Sequence, residues 1–295
     1  MADGAIEQVR SFNRTVTEMI GALDERYMGR HRPLGEARVL WEIGGDECEL
    51  AALRARLGLD SGYLSRLLRA LEASGLIRVQ QNPGDRRARV VKLTSLGRRE
   101  RATLDQRSDV LARSLLEPLT APQRERLVEA MCEVEQLLTA ASVKITAVDP
   151  EHRDARSCLE QYTVELNRRS TRQFDPTVGA TALPDELRPP AGEFFVAYLR
   201  GEPIGCGAVK HHASAPAQIK RMWLAPSARG LGIGRRLLRT LEDCAREAGA
   251  GIARIETNSD LTEAMSLYAS AGWVEVARFN DEPYADRWLE KTLND

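Results

Sequence analysis

Apolar positions recur at three- and four-residue spacing along nearly all of the first 141 residues, whereas from about Asp149 short alternating apolar runs interleave with such stripes. The change of period predicts two domains, 1–145 and 149–295, joined by SVKITAVDPEH, whose Asp-Pro and lack of an amphipathic period suit a short connector. In the first half, Leu50, Leu53 and Leu57 form one helical stripe, and Leu64, Leu67, Leu68 and Leu71 form a second. Between them, Gly58 suits a left-handed helix end and Asp60 or Ser61 suits the next helix start. Two helices across so tight a turn read as a helix-turn-helix. With its leucines turned inward, the second helix presents Ser61, Tyr63, Ser65, Arg66 and Arg69, side chains able to meet base edges and phosphates. Ile77 and Val79, the turn Asn82-Pro83-Gly84-Asp85, and then Val91 and Leu93 predict a hairpin with Arg86, Arg87 and Arg89 at its tip.

Charge sharpens this picture. The chain of 295 residues carries a net charge of only -1, yet Leu53 to Arg101 hold twelve arginines or lysines against four acids. A basic cluster on a nearly neutral chain is the electrostatic footprint of a DNA-binding surface. Through LGLDSGYLSRLLRALEASGLI and NPGDRRARVVKLTSLG, residues 1 to 145 resemble the MarR family of winged helix-turn-helix regulators. The resemblance implies that Asp85 orients the hairpin and that Arg87 enters the minor groove of a double-stranded operator. Two long amphipathic segments flank the motif, and the second carries more apolar positions, Leu115 through Leu138, than a small winged domain can bury. In the resembled family such helices form a homodimer, and the same is expected here.

In the second half, EFFVAYLRGEPIGCGAVKHH predicts two strands joined at Arg200-Gly201-Glu202-Pro203, and AQIKRMWLAP predicts a third. Directly after it, Arg229-Gly230-Leu231-Gly232-Ile233-Gly234 opens a helix striped by Leu237, Leu238, Leu241 and Ala245. A glycine-rich turn at a helix start exposes backbone N–H groups at the positive end of the helix dipole and lets an anion come close. Arg229 and Arg235 would add charge-assisted hydrogen bonds. A dinucleotide-binding Rossmann turn fits badly, because the motif comes late and no acidic residue closes a following strand in the expected place.

The order strand, R-G-x-G-x-G, helix, strand, helix, with IKRMWLAP, RIETN and EAMSLYASAGW around it, resembles the GNAT superfamily of acetyl-CoA-dependent N-acetyltransferases over residues 150 to 295. The fold expected for the whole chain is a mainly α winged helix-turn-helix domain followed by an α/β GNAT-like domain with a mixed central sheet. The resemblance implies acetyl-CoA as co-substrate, its pyrophosphate held by backbone N–H groups of Leu231, Gly232, Ile233, Gly234 and Arg235. It implies that the strand edge Met222-Trp223-Leu224 and Asn258 meet the pantetheine arm, and that Tyr268 protonates the leaving thiolate. Many family members place a glutamate base on the strand before the loop. That register falls here on Gln218, an amide that accepts no proton at neutral pH. Glu256, or an amine already deprotonated, could substitute, and the base stays unassigned.

The stretch Arg168 to Phe195 reads in part as a loop lining the acceptor site, with Arg172, Phe174 and Asp175 as candidates for recognising a small primary amine, an amino acid or analogue among them. A second reading is a sensor, in which the GNAT-like domain binds acetyl-CoA or a metabolite without turnover. Five dispersed cysteines without a CxxC pair suggest neither disulfides nor zinc, and His211 and His212, adjacent on a strand, point apart, so no metal is expected. No run of about 20 apolar residues suits a bilayer and the N-terminus lacks a signal-peptide core, so a cytoplasmic protein is expected.

Overall fold

A computed structural model of the chain describes residues 3–23, 27–29, 32–44, 47–82, 84, 88–169, 178, 182–212 and 215–293. It divides into two compact units, Met1–Met131 and Cys132–Asp295. No helix among the described residues is long and apolar enough to cross a membrane.

The first unit contains α1 (Asp3–Met19), α2 (Leu34–Ile43), β1 (Glu47–Glu49), α3 (Leu50–Leu57), α4 (Ser61–Ala73), β2 (Ile77–Gln81), β3 (Arg89–Leu93) and α5 (Ser95–Leu116). Helix α6 (Ala121–Ser142) runs across the division. Gly58 ends α3 at φ 63°, and the Asp60 carboxylate accepts from the Tyr63 N–H at 2.8 Å to start α4. Leu64, Leu67, Leu68 and Leu71 then lie buried with Leu40 and Leu53. The hairpin β2–β3 and the short β1 form an antiparallel sheet of order β1-β3-β2. Thr94 caps α5 through the Gly97 N–H at 3.0 Å, and Gly97 lets the helix cross the backbone of Leu76, whose carbonyl oxygen would stand 2.0 Å from an added Cβ. By contrast α1 buries none of its residues and leaves Ile6, Val9, Phe12, Val16 and Met19 exposed along one stripe, and α6 leaves Val128, Met131, Leu137 and Leu138 exposed.

The second unit contains β4 (Lys144–Ala147), α7 (Arg153–Arg169), β5 (Gly192–Leu199), β6 (Glu202–Lys210), β7 (Ala217–Leu224), α8 (Ile233–Glu247), β8 (Ile252–Thr257), α9 (Thr262–Ser270), β9 (Val274–Glu275) and β10 (Arg287–Thr292). Its sheet has the order β4-β5-β6-β7-β8-β10-β9 and is antiparallel throughout except between β7 and β8. The stretch read as a connector contributes the first of these strands, with Ile145 opposite Ala197. Four residues are too few for a period to show, and only the β5 edge makes them a strand. One face of the sheet buries Val209 and Ile219 under Leu237, Leu238 and Leu241 of α8, while α7 covers the other face with Ala155 and Cys158 over Phe194 and Cys206. The approach of α8 depends on Gly207, where a Cβ would lie 2.7 Å from a Leu241 methyl.

Candidate active site

Strands β7 and β8 pair only at Ala217 with Ala253 and at Gln218 with Arg254. Past these positions the parallel strands splay, and a cleft opens between them with two lobes, one reaching to the glycine turn and one to the point where the strands part. Tyr162 of α7, Met222 of β7 and Tyr268 of α9 border both lobes, so the two form one continuous cleft.

One lobe ends at the glycine turn. Gly230 and Gly232 adopt φ of 76° and 75°, a region that other residues enter only under strain, and a Cβ at either would meet nothing within 4 Å. Gly232 is the N-cap of α8 and offers no side-chain cap, so the first N–H groups of the helix lack both an intrahelical acceptor and a capping oxygen. A Cβ on Gly234 would come within 3.3 Å of Leu267 and 3.4 Å of Leu224. The turn is thus an open concave cradle at a positive helix end, and its chemistry fits the diphosphate of a nucleotide cofactor. Arg229 lines this lobe, but its guanidinium donates to the Leu224 carbonyl at 2.8 Å and to Glu165 at 2.6 Å. Arg235 donates to Ser270 Oγ at 2.7 Å. Both arginines therefore brace the walls of the cradle.

Glu165, which the sequence reading did not single out, gathers these braces. Its carboxylate accepts from Trp223 Nε1 at 2.9 Å and pairs with Arg169 at 2.9 Å as well as with Arg229. Burial pushes this carboxyl up, but the Arg229 and Trp223 hydrogen bonds and the charges of Arg229 and Arg169 outweigh it and leave it below its usual range. Arg169 continues to Glu263 of α9 at 2.7 Å, which joins α7 to the far side of the cleft. The i,i+4 spacing of Glu165 and Arg169 was visible in the sequence, but their tertiary partners were not.

The other lobe ends where the strands part. Opposite Gly207, β7 carries two residues, Arg221 and Met222, between the register pairs at Lys220 and Trp223. Arg221 takes φ 56° at this bulge, and its guanidinium lies 6.0 Å from the centre of the Tyr162 ring. Two residues beyond the last paired backbone, Lys220 of β7 and Glu256 of β8 form an ion pair between side chains only 8% and 5% exposed. Burial pushes the Lys220 ammonium down to about 8, against the opposite pull of Glu282. The second carboxylate oxygen of Glu256, Oε2, is buried without a hydrogen-bond partner among the described residues. Lys220 is a second residue that sequence reading passed over, although a lysine between apolar Ile219 and Met222 in IKRMW was its signal.

At the junction of the lobes, the Tyr268 hydroxyl donates only a long contact to Met222 Sδ at 3.9 Å, and burial pushes its pKa well above the ordinary tyrosine value. Asn258 lines the cleft, with its amide donating to the Tyr284 carbonyl at 3.3 Å and accepting from the Asp260 N–H at 2.8 Å. Trp223 and Leu224 border the glycine lobe. Leu231 and Ile233 belong to the turn, with Ile233 buried beneath it. Gln218 sits at the last paired position, outside the cleft lining, and Glu256 lies inside it. Arg172, Phe174 and Asp175 lie outside the described residues.

In the first unit, Ser61, Tyr63, Ser65, Arg66 and Arg69 are all exposed on α4, with the Arg66 guanidinium 5.5 Å from the Tyr63 ring centre. Arg89 is exposed at the start of β3, and Asp85, Arg86 and Arg87 lie outside the described residues. No group of three or more His, Cys, Asp or Glu among the described residues could hold a metal ion.

The family model for the GNAT acetyltransferases matches residues 159–273, and that for the MarR family matches residues 31–88. An IAA acetyltransferase of Azospirillum brasilense is 37% identical over 112 residues, which are 36% of this chain and 72% of that protein. N-alpha-acetyltransferase RimI of Mycobacterium tuberculosis is 30% identical over 142 residues, 47% of this chain and 84% of that protein. In the first half, the uncharacterized HTH-type transcriptional regulator YdgJ of Bacillus subtilis is 25% identical over 89 residues, 30% of this chain and 54% of that protein.

Proposed function

The chain belongs to the GNAT acetyltransferase family and carries a MarR-family domain ahead of its acetyltransferase domain, and from this premise we propose a DNA-binding regulator that also acetylates a small primary amine with acetyl-CoA. The observation that carries the enzymatic part is the single cleft running from the glycine cradle, past Tyr268, to the floor between β7 and β8.

When bound, acetyl-CoA supplies the acetyl thioester that an amine attacks. The backbone N–H groups of Leu231 to Arg235 hold its pyrophosphate, and the β7 edge from Met222 to Leu224, unpaired on its β8 side, offers main-chain groups to the pantetheine arm. Arg229 and Arg235 act by fixing the cradle, and Asn258 by fixing the loop beside the arm. Tyr268 keeps its proton on Oη because burial disfavours the phenolate, and a buried acid at the junction of the lobes is placed to protonate a departing sulfur. Glu256 is the carboxylate of the acceptor lobe, and Gln218 serves the strand junction. Arg172, Phe174 and Asp175 follow α7, whose last turn borders the cleft through Arg169, and we assign them to acceptor recognition.

For the DNA part, the exposed face of α4 enters the major groove and the hairpin tip lies against the neighbouring minor groove. The apolar stripes of α1 and α6 pair in a homodimer, which sets the spacing of two half-sites. A second reading, sensing without turnover, is favoured by the ion pair that already engages Glu256. Incubation of the purified protein with acetyl-CoA and a panel of primary amines separates the two. Amine-dependent N-acetylation, detected by mass spectrometry and reduced in Tyr268→Phe, supports the enzyme. Saturable acetyl-CoA binding that changes operator affinity with no acetylated amine supports the sensor.

A further inference from the structure

Behind the glycine cradle stands the end of a helix that begins in the other unit. Ile233, buried beneath the turn, packs with Ala228 and with Val143, the residue that follows α6, and Leu231 joins the same cluster. Ala140, Val143 and the whole turn belong to the second unit, whereas α6 starts in the first. These residues lie under the turn and outside the cleft lining, so they shape the cradle from its far side.

Polar bonds fix the same junction. The last carbonyl groups of a helix lack intrahelical donors and form the negative end of its dipole. Arg236 supplies both donors and charge there, since its guanidinium donates to the Ala140 carbonyl and, at 2.9 Å, to the Val143 carbonyl. Its own backbone N–H donates to the Gly232 carbonyl at 3.2 Å. One residue thus ties the N-cap of α8 to the C-terminal end of α6. The body of α6 buries none of its residues, and Leu137 and Leu138, just before the junction, stay exposed. Because a helix of 22 residues is a stiff rod about 33 Å long, what orients this end orients the rest.

We infer that the C-terminal end of α6 is the back wall of the acetyl-CoA cradle, with Arg236 as the positioning residue that fastens it, so that acetyl-CoA is an effector of the helix shared by the two units. A diphosphate on the first N–H groups of α8 orders the turn on which Val143 sits. By linkage, the factor by which the ligand tightens the hold on α6 is the factor by which that hold raises affinity for the ligand. The inference rests on the reading of the glycine turn as the pyrophosphate site and is independent of turnover.

The test follows backbone amide exchange of the full chain by mass spectrometry, with and without saturating acetyl-CoA, and measures acetyl-CoA affinity on the same samples by titration calorimetry. In the wild type, acetyl-CoA at 100 times its Kd should slow exchange of the amides from Leu137 to Val143 at least about tenfold, against a ceiling of about 100-fold. Arg236→Met keeps the aliphatic stem and a similar helix propensity but removes the donors. It should abolish this slowing and weaken acetyl-CoA binding about tenfold, the same factor by linkage. A merely structural role for Arg236 would speed exchange with and without ligand alike and leave their ratio unchanged. Arg239→Met, about one turn further along α8 and also exposed, should keep the wild-type ratio and affinity. Exchange at the end of α6 that ignores acetyl-CoA in the wild type, a wild-type ratio in Arg236→Met, or a lost ratio in Arg239→Met would each overturn the inference. Absence of calorimetric acetyl-CoA binding by the wild type would sink the cradle reading and the inference with it, whereas binding without any change at α6 would sink the inference alone.

Discussion

Replacing Gly232 by alanine isolates what the bare turn contributes. At φ 75° the alanine pays no contact penalty, since nothing lies within 4 Å of the new Cβ, but its left-handed backbone costs about 1–2 kcal/mol of domain stability. The methyl group also projects beside the free N–H groups that begin α8. If it displaces a phosphate oxygen from one of them, the loss is that of one charge-assisted hydrogen bond, about 1.5–3 kcal/mol, or a roughly 10- to 100-fold weaker Kd for acetyl-CoA. Gly249, just past the other end of α8, provides the control. It has φ 88°, equally open surroundings and no place in the cleft lining. Both variants should lose similar stability, read from the thermal transition of the acetyltransferase domain, while isothermal titration should show weakened acetyl-CoA binding only for Gly232→Ala. Equal acetyl-CoA affinity in the two variants would refute the cradle.

Tyr268→Phe removes a hydroxyl whose one hydrogen-bond contact among the described residues is the long one to Met222 Sδ, so stability should change by less than about 1 kcal/mol while kcat falls at unchanged acetyl-CoA affinity, in steady-state kinetics paired with titration calorimetry. Arg66→Ala should weaken operator binding and lower the slope of log K against log salt by about 0.9, as measured by fluorescence anisotropy over a salt series. The Glu263 carboxyl is held at about 2 by its hydrogen bonds to Arg169, so its ion pair contributes stability fully present above pH 4.5 and lost as pH falls toward 2. Because Glu263 is 59% exposed and screened, the contribution is about 0.2–1 kcal/mol, and Glu263→Gln should lower Tm at pH 7 by an amount that shrinks toward pH 2.

Local signals were the most legible part of the sequence. Gly58, Asp60 and the leucine stripes of α3 and α4 act within a few residues of one another, so spacing alone located the helix-turn-helix. The glycine turn was legible for the same reason, because its purpose is backbone geometry at one helix start. What spacing could not convey was pairing between distant segments. Lys144–Ala147 became a strand only through β5, and the Glu165 hub joins residues 58 and 64 positions apart. Gln218 and Lys220 lie two residues apart on one strand, and only the point at which β7 and β8 part distinguishes the one outside the cleft from the one at its floor.

The central claim is tested most directly by free coenzyme A released from acetyl-CoA by the full chain, measured with and without each member of a panel of alkylamines, amino acids and arylamines. The account predicts release that requires one class of primary amine, saturates with it and yields its N-acetyl derivative in equal amount. Tight acetyl-CoA binding with no amine-dependent release across the panel would contradict it.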